Sequence, residues 1–203
     1  MCGFAGILAF DSSVKNDFHK INDAAKALQS RGPDDMGTYF DENIALGHSR
    51  LAIIDTSNSG KQPFTDISKR YTLVFNGEIF NYKELRKKLE LKGYHFKSQS
   101  DTEVLLYQYI EEKENCLKEL NGDFAFAVYD NNENSLFLAR DRFGIKPLYY
   151  YMDKKKLIFS SEMKGLIALG IPKEIDQASL QTYLHLNYIP SPHTIIKNVS
   201  KLN

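Results

Sequence analysis

The strongest constraint on how this chain folds is a succession of short apolar runs separated by polar turns. They are Gly3–Phe10, Met36–Phe40, Ile44–Ile54, Tyr71–Phe80, Phe124–Tyr129, Leu136–Ala139, Leu148–Tyr151 and Leu157–Ser160. Runs of this length, bounded by turn residues, suit buried strands. Asp41-Glu42-Asn43 joins the second run to the third, and Asp130–Asn134 joins Phe124–Tyr129 to Leu136–Ala139, so hairpins are predicted there and between the last two runs. Between the strands lie helical segments. Asn16–Gln29 spaces Phe18, Ile21, Ala24, Ala25 and Leu28 along one face. Asn81–Lys92 sets Leu85 one turn from Leu89 and stops at Gly93. Ser100-Asp101-Thr102-Glu103 has capping-box spacing ahead of Leu105, Leu106 and Tyr109. Short helices are expected near Glu162–Leu169 and Ser179–Leu186. Antiparallel strands early and late, with helices between them, predict a sheet-rich α+β layered domain.

At 203 residues the chain is about 1.4 typical domains long. We expect one domain over residues 1–187 and an extended linker over 188–203, where Pro190-Ser191-Pro192 stands. Lysine and arginine number 26, as do the acids, for a net charge of zero. A chain that neutralises phosphates needs a clustered basic surplus, so nucleic acid is not an expected partner and a small substrate is. The two cysteines, Cys2 and Cys116, cannot form a disulfide framework, which fits a reducing compartment. Gly3–Phe10 lacks a preceding basic segment, and no run approaches the ~20 apolar residues of a membrane span. A cytoplasmic location with no membrane contact is therefore expected. No glycine-rich phosphate loop, G-x-S-x-G elbow or metal-ligand spacing occurs, so neither a cofactor nor a metal is expected in these residues.

Several residues could carry chemistry. Cys2 follows Met1 and precedes a small residue. Removal of Met1 would give Cys2 a free α-amine with a pKa of roughly 7.7–8.0, placing a base beside its own thiol; otherwise Cys2 is a small buried hydrophobe. Arg50 ends an apolar run and needs a partner, either a ligand carboxylate gripped by its fork or a nearby acid such as Asp55. Asn76-Gly77 interrupts Tyr71–Phe80. It reads first as a hairpin turn, although the flanks are short for one, and alternatively as an amide beside a free N–H that could hold an oxyanion. Asp101 fits the first turn of a helix on dipole grounds alone.

Together these motifs come in a recognisable order. They are Met1-Cys2-Gly3-Phe4-Ala5-Gly6, Arg31-Gly32-Pro33-Asp34, Gly47-His48-Ser49-Arg50-Leu51, Asn76-Gly77-Glu78-Ile79-Phe80-Asn81, Ser100–Glu103, Asn121–Phe126, Arg140–Tyr150 and Ser161–Lys164. The chain resembles, over essentially its whole length, the amidotransferase domain of glutamine-hydrolysing asparagine synthetases, a class II N-terminal-nucleophile family. The resemblance implies a four-layer αββα sandwich with two stacked antiparallel sheets. It implies Cys2 as the nucleophile toward L-glutamine once Met1 is gone, and Asn76 (side chain) with Gly77 (backbone N–H) as the oxyanion hole. It further implies Arg50 on the glutamine carboxylate, Glu78 and Asp101 near its ammonium, and backbone at Leu51 and Ile53 lining the pocket. The family's ATP-binding Ser-Gly-Gly-x-Asp-Ser motif is absent from these residues. ATP and magnesium are therefore expected only in a separate C-terminal synthetase domain, the implied partner to which ammonia passes. A homodimer is compatible with the sequence. Amidotransfer to another acceptor, such as a sugar or surface-polysaccharide precursor, and a non-catalytic interaction module on the same fold are the alternatives.

Overall fold

The structure, a computed structural model, describes all 203 residues. In chain order the elements are β1 (Gly3–Ala9), a 3-10 segment (Ser12–Lys20), α1 (Ile21–Ala27), β2 (Asp35–Phe40), β3 (Ile44–Arg50), β4 (Phe64–Thr65) and β5 (Tyr71–Ile79). There follow α2 (Tyr82–Leu91), α3 (Asp101–Glu112), β6 (Gly122–Asp130), β7 (Ser135–Arg140), β8 (Tyr149–Met152), β9 (Lys156–Ser160), α4 (Met163–Ala168), α5 (Gln177–Leu186) and β10 (Val199–Lys201). Two antiparallel sheets result, one ordered β10-β8-β9-β1-β3-β2 and the other β4-β5-β6-β7.

Side chains alternate across a strand, and the three apolar clusters follow that alternation. Phe4, Leu8, Ile44, Leu46, Val74, Ala125, Ala127, Tyr129 and Phe159 meet between the sheets. Ala5, Ile7, Ala45 and Ile158 point the other way, under Ile21, Ala24, Leu28 and Leu166 of α1, its C-cap and α4. On the far side Leu73, Phe75, Phe124, Phe126 and Val128 pack under Leu85, Leu89 and the buried face of α3. Helix, sheet, sheet, helix is the four-layer sandwich that the resemblance implied. Each fully buried large apolar side chain contributes roughly 1.5–3 kcal/mol.

The hairpins form as the apolar runs predict. The helical face from Phe18 to Leu28 is buried as expected, but its first part is 3-10 and only Ile21–Ala27 is α-helical. Ser100 caps α3 by accepting from the Thr102 N–H at 3.1 Å. Glu103 does not close the predicted box; its carboxylate accepts instead from the Lys97 and Ser98 N–H groups and the Ser98 hydroxyl. Asn76-Gly77 does not interrupt β5, which pairs with β6 without a break from Tyr71 to Ile79.

The expected linker from residue 188 is corrected by the structure. Val199–Lys201 is the edge strand β10 against β8, and Val199 is 3% exposed among Tyr151, Leu169 and Ile171. Arg140 ties this end down by donating to the Leu202 carbonyl at 2.9 Å. Pro190 and Pro192 mark the loop that enters β10, a short strand whose one anchoring valine gives too weak a pattern to read from sequence. If this segment were a linker, deleting residues 188–203 would leave the thermal midpoint unchanged. We expect calorimetry to show a loss of about 5 °C or more, given roughly 2–4 °C per kcal/mol for a chain of this size.

Candidate active site

Three strands end their inward-facing rows at the same rim of the sandwich. On β1 the row Leu8, Gly6, Phe4 extends to Cys2; on β3 Ile44, Leu46 and His48 lead to Arg50; on β5 Thr72 and Val74 lead to Asn76. Gly3 pairs with Ser49, so the register sets Cys2 against Arg50. The Leu51 N–H donates to Cys2 Sγ at 3.3 Å, and Sγ lies 3.6 Å from the Leu51 carbonyl. An open cleft of about 740 Å³, mouth included, occupies this rim. Cys2, Arg50, Leu51, Ile53, Asn76, Gly77, Glu78 and Asp101 all line it, so the fold brings every sequence-derived candidate to one place. Ile53 and Glu78 stand exposed at its mouth, whereas Arg50, Asn76 and Asp101 are buried.

The loop Arg31–Asp34 braces residues that line the cleft. Arg31 donates through Nε to the Cys2 carbonyl at 2.7 Å and through Nη1 to Glu162 Oε1 at 2.7 Å. A side chain at position 32 would run into the backbone of Ser49 and Arg50, so only glycine lets this loop lie so close. The Asp34 carboxylate accepts from the Ala52 N–H at 2.9 Å. The Asn76 carboxamide, oriented by its partners, turns its nitrogen to the Cys2 carbonyl at 2.9 Å and its oxygen to Arg31 Nη2 at 3.3 Å. An amide nitrogen carries two hydrogens, so one remains for a ligand.

Gly77 supplies a second donor. Along β5 the N–H groups of Tyr71, Phe75 and Ile79 go to the Asp66, Gln62 and Asp101 side chains, away from β6. By the same alternation the Gly77 N–H also points away from β6, into the cleft. A Cβ here would collide with the Asp123 carbonyl and Phe124 Cα, so the close strand pairing requires glycine.

The charges are unevenly placed. Arg50 is 7% exposed, and no carboxylate lies within ion-pair distance of it. Its guanidinium instead donates to the backbone carbonyls of Asp55 and, at 2.9 Å, Ser57; three of its five N–H groups stay free. The Asp55 carboxylate caps the Ser57 and Gln99 N–H groups and does not pair with Arg50. Asp101 accepts from the Ile79 N–H at 3.0 Å, yet burial, with Glu78 adding to it, pushes its carboxyl up to about 6. Burial also pushes the Cys2 thiol above its ordinary value, against the pull of the Leu51 N–H, the chain terminus and Arg50. His48 is fully buried and held near 4 by desolvation, so its imidazole is neutral. The cleft can thus take a carboxylate on one side of a thiol and an ammonium on the other, with two N–H donors beside the sulfur. Arg31 and Thr102 stand in sequence motifs without an assigned role in the site, and Gln62 stands in none; Gln62 and Thr102 line the cleft. The Gln62-Pro63 pair in a polar turn carries no periodic signal.

A family model for the glutamine amidotransferase domain matches residues 1–203. The chain is 42% identical to asparagine synthetase (glutamine-hydrolysing) 1 of Bacillus subtilis, aligning over all of this chain and 32% of the relative. It is 40% identical to a putative asparagine synthetase (glutamine-hydrolysing) 2 of Methanocaldococcus jannaschii, over all of this chain and 42% of that protein. The chain therefore spans about a third to two fifths of the length of these relatives. Among solved structures, glutamine phosphoribosylpyrophosphate amidotransferase from B. subtilis superposes with a TM-score of 0.68 at 24% identity, covering 83% of this chain and 44% of that one. That likeness shows that the two share a fold.

Because Asp101 feels the Glu78 charge, Glu78→Gln should lower the Asp101 pKa from about 6. Carboxyl-carbon NMR titration reads this directly, and an unmoved midpoint would separate the two acids.

Proposed function

This chain belongs to the glutamine amidotransferase domain family, and we propose that it is the glutaminase part of an asparagine synthetase. The observation that carries the reading is a thiol set between an acid-free buried guanidinium and two carboxylates, beside a pair of N–H donors. That arrangement fits the zwitterionic end of L-glutamine and the developing oxyanion of its side-chain amide.

In this reading Met1 is removed and the α-amine of Cys2 takes the thiol proton, directly or through a water. Sγ attacks the amide carbon, and the oxyanion accepts from Asn76 Nδ2–H and the Gly77 N–H. Losing one such donor costs roughly 10²–10³ in rate. The protonated amine passes its proton to the departing nitrogen, the C–N bond breaks and ammonia leaves a thioester on Cys2. Water, deprotonated by the same amine, adds to the thioester and releases glutamate with the thiol restored. Arg50 grips the α-carboxylate, Asp101 and Glu78 attract the α-ammonium, and backbone at Leu51 and Ile53 closes the pocket. Ammonia would pass to a synthetase portion that amidates aspartate, and we assign the use of ATP and magnesium to that portion. No helix here is long and apolar enough to cross a membrane.

Cys2→Ala should abolish glutamate release while leaving the thermal midpoint within about 2 °C. Release at the unaltered rate would refute the nucleophile. Arg50→Lys should raise KM for glutamine about tenfold, because a point charge replaces the fork; an unchanged KM would remove Arg50 from the carboxylate site. KM should also climb as pH falls through about 6. Asp101 protonates in that range and loses its attraction for the ammonium, whereas above it the carboxylate is charged.

A further inference from the structure

Phe75 lies where β5 has lost its neighbour on one edge. β4 pairs only Phe64 with Leu73 and Thr65 with Thr72, while on the other edge β6 continues past Phe75 to Ile79. Backbone groups left unpaired in a buried strand are costly. Here two buried side chains take the place of the missing strand. Gln62, 7% exposed, accepts from the Phe75 N–H through Oε1 at 2.7 Å and reaches Thr102 Oγ1 through its amide nitrogen at 3.4 Å. His48, on β3 of the opposite sheet, makes its Nε2 contact with the Phe75 carbonyl at 3.0 Å.

A carbonyl only accepts, so the neutral imidazole must carry its hydrogen on Nε2. Its Nδ1 is then a lone pair, buried with no partner. A histidine with one nitrogen unsatisfied in an otherwise apolar layer is a poor choice for packing. What it fixes lies one and two residues on: Asn76 carries the side-chain donor and Gly77 the backbone donor of the site above.

We propose that His48 and Gln62 are positioning residues for the oxyanion site, clamping the free edge of β5 at the Phe75 carbonyl and N–H so that the Asn76 amide and the Gly77 N–H converge on one point. The inference deepens the glutaminase reading and rests on it. Neither residue touches the reacting atoms; both act through the backbone of β5. Because a strand rotates as a unit over a few residues, freeing the edge at Phe75 tilts the next two peptides. Donor alignment in the transition state suffers, and the pocket for the zwitterion, formed by Arg50 and Asp101, does not.

The test compares His48→Leu, Gln62→Met and His48→Gln in the full chain with Met1 removed. Steady-state glutamine hydrolysis is read together with hydrogen exchange at the Asn76 backbone amide, which none of these changes contacts directly. Leu and Met variants should lose roughly tenfold or more in kcat, with KM within about twofold of the parent and faster Asn76 exchange. His48→Gln keeps an N–H at similar reach and should recover most of kcat. The double variant should lose less than the product of the two single losses, since both act at one residue. A lowered thermal midpoint with kcat and Asn76 exchange unchanged would overturn the proposal, as would equal losses in His48→Gln and His48→Leu. If the unmutated chain hydrolyses no glutamine, the glutaminase reading fails by itself, and Asn76 exchange still decides the clamp: faster in the Leu and Met variants supports it, unchanged refutes it.

Discussion

The carbonyl oxygen of Cys2 is where the layers of this molecule are tied together at the cleft. Two donors converge on it, Arg31 Nε at 2.7 Å and the Asn76 amide nitrogen at 2.9 Å. Arg31 comes from the turn after α1 and pairs with Glu162 at the head of α4, while Asn76 comes from the second sheet. One backbone atom thus connects the helical layer, the first sheet and the second. Cys2 precedes β1 and would fray if left to itself, as chain ends do. Held this way, its side chain keeps the inward direction that the period of β1 assigns to it, and Asn76 is fixed by the same contact.

The polar groups at the rim come at a cost in folding. Arg50 is a buried cation without an acid, Asp101 a buried carboxyl raised to about 6, and His48 a buried imidazole with an idle nitrogen. Removing a charge from water without a counter-ion costs several kcal/mol, and each unsatisfied neutral group about 1–3 kcal/mol. The apolar layers offset this. Between the sheets alone, Phe4, Tyr129 and Phe159 rank among the largest fully buried side chains. The site therefore depends on a core it does not belong to. A ligand bringing a carboxylate and an ammonium would relieve the strain at Arg50 and at the Glu78–Asp101 pair together.

Much of this was legible because strand period and turn chemistry are local. The run Ile44–Ile54 and its hairpin with Met36–Phe40 need only neighbouring residues to read, and β3 stops at Arg50 because the chain turns there to let Leu51 reach Cys2. Asn76-Gly77 illustrates the limit. As a dipeptide it signals a turn, yet β6 alongside holds it extended, and that pairing joins residues some fifty positions apart in sequence. Residues 188–203 mislead for the same reason, since Val199 finds its partners only once Tyr151 and Ile171 are in place. The eight site residues were located by resemblance of motifs. Position along the chain could not show that Arg31, Gln62 and His48 hold them, because those contacts span 29, 13 and 27 residues and cross between layers.

The thiol itself determines what else the chemistry needs. Burial raises Cys2, so at neutral pH the sulfur is protonated and requires a base. No histidine lines the cleft. His48 is sealed between the sheets, with its Nε2 committed to Phe75 and its pKa near 4. Asp101 already accepts from the Ile79 N–H, and as an anion it opposes formation of a thiolate. Lys146, the cation at the mouth, contacts Met1 Sδ at 3.3 Å and cannot accept a proton while charged. What remains within reach of Sγ is the nitrogen of Cys2, and while Met1 is attached that nitrogen is a peptide amide with no lone pair to offer. In the proposed glutaminase reading, competence of the thiol and removal of one methionine are therefore a single requirement.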